Sequence, residues 1–128
     1  MGTGKNRSLR NRSGRKVWIP HVFYIGYLDI NTASICMAHS PDGVTRWTRF
    51  HGNPIVEPAA LSMTETQRLA LCPGGTGCPD AKWDAAACYK PSVVKDVKNK
   101  RWLLWYNGRN CQNEYIGLAI HDGLDLEL

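Results

Sequence analysis

The chain alternates short apolar, aromatic-rich runs with polar turns. His21-Val22-Phe23-Tyr24-Ile25-Gly26-Tyr27-Leu28 is aromatic, β-branched and nearly uncharged, which predicts a buried strand. Asp29-Ile30-Asn31-Thr32 is a polar connection. Ala33 to Ser40 predicts a second strand, with Ile35 and Met37 on one face and Cys36 and Ala38 on the other. Pro41-Asp42-Gly43 is a turn signal. Val44 to Phe50, containing Trp47, reads as a shorter and more polar third strand, as suits an outer edge.

Residues 59–82 break this rhythm. Ala59 to Leu71 is rich in good helix formers and predicts one short helix, and Cys72 to Asp80 is a loop rich in Gly and Pro. A link of this length between strand groups is an insertion or a functional loop. Two strands follow, Ala87 to Lys95 and Arg101 to Asn107, and then the alternating run Glu114 to His121 with Ile116, Leu118 and Ile120 on one side. Asp122-Gly123 turns the chain again. The stretch Trp83 to Val94 stands out because it is polar and small at its start and carries Pro91. Proline has no amide hydrogen to give a ladder, so it belongs in a strand with one edge unpaired.

Two pieces of the chain repeat. Phe23 to Tyr27 falls on Trp102 to Tyr106, Ile35 to His39 falls on Ile116 to Ile120, and an Asp-Gly pair follows each copy. Repeated strand–turn–strand units predict an all-β chain, a partial β-propeller of about two four-stranded antiparallel blades. The division expected is a disordered basic tail over residues 1–17, strands two to four of a first blade over 18–58, the insertion or loop over 59–82, and strands one to three of a second blade over 83–128. Ala87 to Lys95 is then an innermost strand, lining a central channel.

Composition adds little to that picture and charge corrects it. With 128 residues, 43% hydrophobic and 21% charged, the chain has the make-up of one soluble domain or part of a larger one. Five Trp and five Tyr against two Phe favour strands over helical bundles. No apolar run approaches the ~18 residues of a membrane span. The net charge of +5 is uneven: Lys5, Arg7, Arg10, Arg12, Arg15 and Lys16 lie in the tail with no acid among them, leaving the body near neutrality. Such a tail predicts disorder, contact with nucleic acid or an acidic surface, or organelle targeting; it has no apolar region of a secretory signal. Nucleic-acid binding is expected only through that tail, and no membrane partner is expected.

The five cysteines are irregularly spaced. Cys72 and Cys78 flank Pro-Gly-Gly-Thr-Gly and could close a small disulfide loop in an oxidising compartment, while Cys36 and Cys88 read as buried thiols. Nothing has the spacing of a zinc knuckle, so no metal and no cofactor is expected. Gly2-Thr3-Gly4-Lys5 lacks the spacing and the hydroxyl residue of a phosphate-binding loop. Asn6 and Asn11 stand in glycosylation sequons without a secretion signal, and no thiol–imidazole pairing is indicated by the spacing.

Tyr24-Ile25-Gly26-Tyr27-Leu28-Asp29, Ala38-His39-Ser40-Pro41-Asp42-Gly43, Asn53-Pro54-Ile55, Trp83-Asp84 with Cys88-Tyr89-Lys90-Pro91, and Trp105-Tyr106-Asn107-Gly108-Arg109 together resemble a five-bladed β-propeller glycosidase. The group is the glycoside hydrolase family 43-like proteins, related to families 32 and 130. The resemblance implies hydrolysis or phosphorolysis of glycosidic bonds in oligo- or polysaccharides by carboxyl groups converging in the central funnel. It implies Asp84 and Asp29 as candidate catalytic acids, with Trp83 and Tyr89 as stacking platforms and Lys90 and Arg109 as ligands for hydroxyls or an anionic group. Glu114 is an alternative partner for Arg109. Five blades take at least about 200–250 residues, so the chain corresponds to a fragment of about two blades. Its exposed blade edges invite self-association. Two other functions stay open: a non-catalytic carbohydrate-binding or remnant domain, and a binder of nucleic acid or an acidic partner through the tail.

Overall fold

The structure, a computed structural model, describes residues 8–10, 16–71, 82–110 and 113–126. Strands β1 (Ser8–Arg10), β2 (Lys16–Trp18), β3 (His21–Asp29), β4 (Thr32–His39) and β5 (Thr48–Arg49) come first. A 3₁₀ turn (Ala59–Ser62) and helix α1 (Glu65–Leu71) lead to β6 (Ala87–Asp96), β7 (Arg101–Asn110) and β8 (Asn113–Asp122). The chain is all-β, as the alternation predicts. Within the tail expected to be disordered, β1 and β2 pair antiparallel, with Leu9 opposite Val17. The sequons at Asn6 and Asn11, the Gly2–Lys5 segment, the possible Cys72–Cys78 loop and Cys111 lie outside the described residues.

Six strands form one open mixed sheet, ordered β3-β4-β6-β7-β8, with β5 also on β4. It consists of two antiparallel groups, β3-β4-β5 and β6-β7-β8, joined at a single parallel bridge between Ala33 and Ala87. The far edge of β4 is completed piecemeal. Ala38 and His39 pair with β5, Ile35 bridges to Val56, and between them Asn53 substitutes for a strand. Its side-chain oxygen accepts the Met37 N–H at 2.9 Å and its amide nitrogen donates to the Met37 carbonyl at 2.8 Å. The third strand shrinks from Val44–Phe50 to two residues because Asp42 holds the Val44 and Thr45 amides in a turn and Arg46 takes a left-handed conformation (φ 53°). Ser40 and Asp42 hold Asp42 to Thr45 in a side-chain-bonded turn, with Gly43 at a φ of 75°.

The single helix expected over Ala59–Leu71 is broken at Met63, which is extended (φ −88°, ψ 156°). Thr64 and Gln67 then form a reciprocal capping box: Thr64 Oγ1 accepts the Gln67 N–H at 3.2 Å, and Gln67 Oε1 accepts the Thr64 N–H at 2.9 Å.

Both three-strand groups contain the same hairpin. Phe23 pairs with Met37 and Tyr24 with Cys36, while Trp105 pairs with Leu118 and Tyr106 with Gly117. Matched by these pairings, Tyr24-Ile25-Gly26 corresponds to Tyr106-Asn107-Gly108. The first strand of the repeat is therefore offset three residues from the match of Phe23 with Trp102 that hydrophobicity suggests, whereas the second strand stays as expected, with Ile35 on Ile116 and Ala38 on Ala119.

The core lies between the groups. Ile35, Met37, Phe50 and Ile55 from one side meet Cys88, Leu104 and Tyr106 from the other, with Leu126 closing the cluster. Phe23 and Trp102 meet across the seam with ring centres 6.5 Å apart. A smaller cluster, Ala33, Ala87 and Tyr89 with Ile25, surrounds the parallel bridge.

His21 titrates against this core. Its Nδ1 donates to the Ile19 carbonyl at 2.8 Å, its Nε2 is buried without a partner among the described residues, and the His39 ring lies 6.3 Å away. Burial pulls its pKa below 6.5; the Ile19 carbonyl opposes this, and the nearby His39 and Lys95 charges add to the lowering. A depressed folded pKa means that the unfolded chain takes the proton first as pH falls. The contribution of neutral His21 is therefore complete above pH 6.5 and is lost as pH drops from there toward the folded pKa. The thermal midpoint is expected to fall between neutral pH and pH ~5, and less so in His21→Gln, whose amide does not titrate. Equal slopes for the two proteins in calorimetry would assign the effect elsewhere.

Candidate functional site

Asp84 sits in the turn that feeds β6. The turn is pinned by three backbone hydrogen bonds: Ala85 N–H to the Lys82 carbonyl (3.0 Å), Ala86 N–H to the Arg109 carbonyl (3.0 Å), and Ala60 N–H to the Ala85 carbonyl (2.9 Å). Ala85, Ala86 and Ala87 are buried, so the run of small residues lets the turn lie close on its neighbours. Tyr106 of β7 donates its hydroxyl to Asp84 Oδ2 at 3.0 Å.

Trp83 lies across the second hairpin. A methyl group at Gly108 would sit 2.1 Å from the indole, and one at Gly117 would sit 2.5 Å from it. Those two glycines make its seat. The indole stacks on Tyr106 (5.8 Å, 21°) and meets Tyr115 edge-on (6.3 Å, 88°). One aromatic face is used by the sheet, yet Trp83 remains 37% and Tyr115 59% exposed.

Asp84 acts on the two groups nearest its carboxylate, Tyr106 and Cys88. Burial, and then the hydrogen bond and charge of Asp84, raise the Tyr106 phenol above its ordinary value. The Cys88 thiol, with Sγ 4.0 Å from Asp84 Oδ2, is pushed up to about 12, first by burial and then by the negative charges of Asp84 and Glu57. It is a protonated packing group, free of any disulfide, and does not serve as a nucleophile at neutral pH. Cys36 is likewise a free thiol, only partly buried.

Tyr89, Lys90 and Arg109 form a second cluster. Tyr89 is buried, with the Lys90 ammonium 5.0 Å and the Arg109 guanidinium 5.2 Å from its ring centre. Lys90 takes the left-handed conformation (φ 52°) beside Pro91, where the β6–β7 register shifts between Tyr89 and Ser92. The proline thus sits in a bulge, the position that removes its missing N–H from the ladder. Arg109 faces Glu114 across the ladder but sends Nη2 to the carbonyls of Ile30 (3.2 Å) and Asn31 (3.3 Å), tying β7 to the β3–β4 turn. In this structure Tyr89 and Arg109 are occupied by the fold; Lys90 is exposed.

Asp29 governs that same turn. Its Oδ1 accepts the N–H groups of Asn31 (2.8 Å) and Thr32 (2.9 Å), and Oδ2 lies 3.5 Å from Arg68 Nε of α1. The Asn31 N–H first, with the hydrogen bonds from Thr32 and the Arg68 charge, holds its carboxyl below the usual range. Asp29 and Arg68 border a cavity of about 110 Å³ that also touches Thr32, Ala60, Leu69 and Ala86. Ala86 makes the Asp29 cavity and the Asp84 turn adjoining features.

No family model, no curated protein and no solved structure matches the chain. The geometry therefore carries the functional reading by itself. Of the six residues singled out in the sequence, it brings Trp83 and Asp84 together on one shelf and Tyr89, Lys90 and Arg109 on another, with Asp29 at the base of the second. Tyr106, Tyr115, Gly108 and Gly117 complete the first shelf and were not singled out. Tyr106 and Gly108 are marked only by their place in the Trp105–Arg109 motif. Glu57, between Val56 on β4 and Ala60 on the Asp84 turn, is a further carboxylate whose charge reaches Cys88. Among the described residues no group of three or more His, Cys, Asp or Glu side chains could hold a metal ion. No helix among them is long and apolar enough to cross a membrane.

Proposed function

We propose that this chain is a glycosidase-like propeller segment that binds oligo- or polysaccharide on the Trp83–Asp84 shelf. One observation supports this above the others: a carboxyl group, fixed by the Tyr106 hydroxyl at 3.0 Å, stands beside two partly exposed aromatic rings. Sugar recognition uses that chemistry. The C–H face of a pyranose or furanose ring packs on an aromatic surface while a carboxylate accepts hydrogen bonds from its hydroxyls. The paired hairpins and the resemblance of the Trp-Asp…Cys-Tyr-Lys-Pro and Trp-Tyr-Asn-Gly-Arg motifs agree with it.

Bond cleavage requires two carboxyl groups, one to donate a proton and one to activate water or attack the sugar. Asp84 is the first. Asp29 is committed to its turn and to Arg68, so the second role falls to Glu57 or to a residue outside this chain. The isolated chain is accordingly read first as a binding module, with turnover conditional on a second carboxyl.

In Asp84→Asn the shape is kept and the charge is lost. Affinity for a neutral oligosaccharide, titrated by calorimetry against a panel of chain compositions, is expected to fall about ten- to a hundredfold, the worth of a hydrogen bond to a charged group. Wild-type protein that binds no member of the panel, or an Asp84→Asn variant that binds equally well, sinks the proposal. Release of reducing ends by the wild type that stops in Asp84→Asn would place the chain among catalysts.

A further inference from the structure

The two hairpins share one pairing scheme, and each turns one face to the other. On the second hairpin, Leu104, Tyr106 and Ala119 pack with Phe23, Ile35 and Met37 of the first, and Gly117 on the same face lies under Trp83. By the pairing register, the counterparts of the covered residues are Val22, Tyr24, Cys36 and Ala38, on the outer face of the first hairpin. The counterparts of the covering residues are Trp105, Ile116 and Leu118, on the outer face of the second. Among the described residues the first of these faces is partly exposed, through Val22 but not Ala38, which is buried, and the second is exposed at Trp105, Ile116 and Leu118. The first is a groove of about 580 Å³ lined by Val22, Tyr24, Ala38, Trp47 and Arg49. The second is a continuous apolar patch, because Val94 pairs with Leu103 and Leu103 with Ile120, and Trp105 pairs with Leu118. Ile116 is 73% and Leu118 47% exposed there. A patch of this kind marks an interaction surface.

We infer that the patch on the second hairpin of one copy of this chain docks in the groove on the first hairpin of another, repeating between molecules the packing already made within one. The choice of a second copy follows from that continuity. The groove has the residue types of the face that Phe23, Ile35 and Met37 cover, and Trp105, Ile116 and Leu118 have the types that cover it: aromatic for aromatic, Ile for Ile, Leu for Met. Because the two surfaces differ, the contact is head-to-tail and propagates from copy to copy into a ring or an open chain. It joins faces rather than strand edges, and it rests on the hairpin register alone, independent of sugar binding.

Native mass spectrometry and analytical ultracentrifugation of the full chain test this with one variant on each surface. Wild-type protein is expected to assemble beyond the dimer with rising concentration. Leu118→Glu on the patch and Ala38→Glu in the groove are each expected to be monomeric. Mixed in equal amounts, they retain one intact groove and one intact patch, so a heterodimer and nothing larger should form. Ile120→Arg and Val22→Arg repeat the pair, with circular dichroism establishing that each variant is folded. A monomeric wild type, one variant that still assembles alone, or folded variants that do not combine on mixing would overturn the inference.

Discussion

Leu104→Ala is expected to lower the stability of the chain by about 3–5 kcal/mol, the cost of a large-to-small change at a site that cannot collapse. Leu104 is 1% exposed, pairs with Val93 on one side and Ala119 on the other, and enters the cluster containing Ile35 and Met37. Strands hold it on both flanks and the first hairpin caps it, so the vacated volume stays empty. The neighbouring Leu103 points to the open face of the same strand and is only partly buried. Leu103→Ala should therefore cost about 1 kcal/mol or less. Urea unfolding at one concentration of protein separates the two, read as a shift in midpoint with unchanged slope. Against a typical total of about 5–15 kcal/mol, the first change takes a large share, and it does so for both hairpins at once, because both send side chains into the same cluster. Similar midpoints for the two variants would mean that the groups do not pack through Leu104.

Strand positions were legible because alternation is a local property. Ile116, Leu118 and Ile120 announce a strand whatever surrounds them, and Pro91 announces a break in pairing. Two features needed contacts distant in sequence. The closing of the β4 edge beyond β5 depends on Asn53 bonding both backbone groups of Met37, which a polar residue before a proline does not advertise. The repeat offset depends on which strand residues face each other; hydrophobicity alone aligned Phe23 with Trp102, and the pairing of Tyr24 and Tyr106 with Cys36 and Gly117 corrected it. The helix break at Met63 was readable in principle, since Thr64-Glu65-Thr66-Gln67 spells a capping box.

The site divides in the same way. Asp84 stands in the sequence at the mouth of the expected inner strand, and in the structure it precedes β6, which lies within the sheet between β4 and β7. Its fixing by Tyr106, and the laying of Trp83 over two glycines on two strands, are long-range facts that only folding creates. Asp29 shows the reverse. A carboxylate in a strand-to-strand connection suggests chemistry, but the same placement suits an Asx turn, and the Asn31 and Thr32 amides have claimed it. The charges of Lys90 and Arg109 read as ligands in sequence; their approach to the buried ring of Tyr89 gives both a packing role first.

Gly108→Ala is the change expected to damage the shelf most for the fewest atoms added. The new methyl would lie 2.1 Å from the Trp83 indole and 2.5 Å from Asp84 Cβ. An indole can tilt, but a Cβ is fixed to its backbone, and that backbone is held by the Ala85, Ala86 and Ala60 hydrogen bonds. The turn must lift, which breaks the Tyr106–Asp84 bond and unseats Trp83 together. Overpacking of this kind costs about 1–3 kcal/mol, and loss of a hydrogen bond to a charged group adds about 1.5–3 kcal/mol. Gly26 supplies the control, being the counterpart of Gly108 in the first hairpin. A methyl there meets Cys36 Sγ at 3.4 Å, an ordinary contact, so Gly26→Ala should be neutral or slightly stabilising through the lost freedom of the unfolded chain. Near-ultraviolet circular dichroism should show the aromatic stack disturbed in Gly108→Ala and kept in Gly26→Ala. Saccharide binding, where the wild type shows it, should disappear with the stack. A Gly108→Ala protein as stable as the Gly26→Ala protein, with its aromatic signal intact, would mean that Trp83 does not rest on this strand and that Asp84 is not held where the shelf requires it.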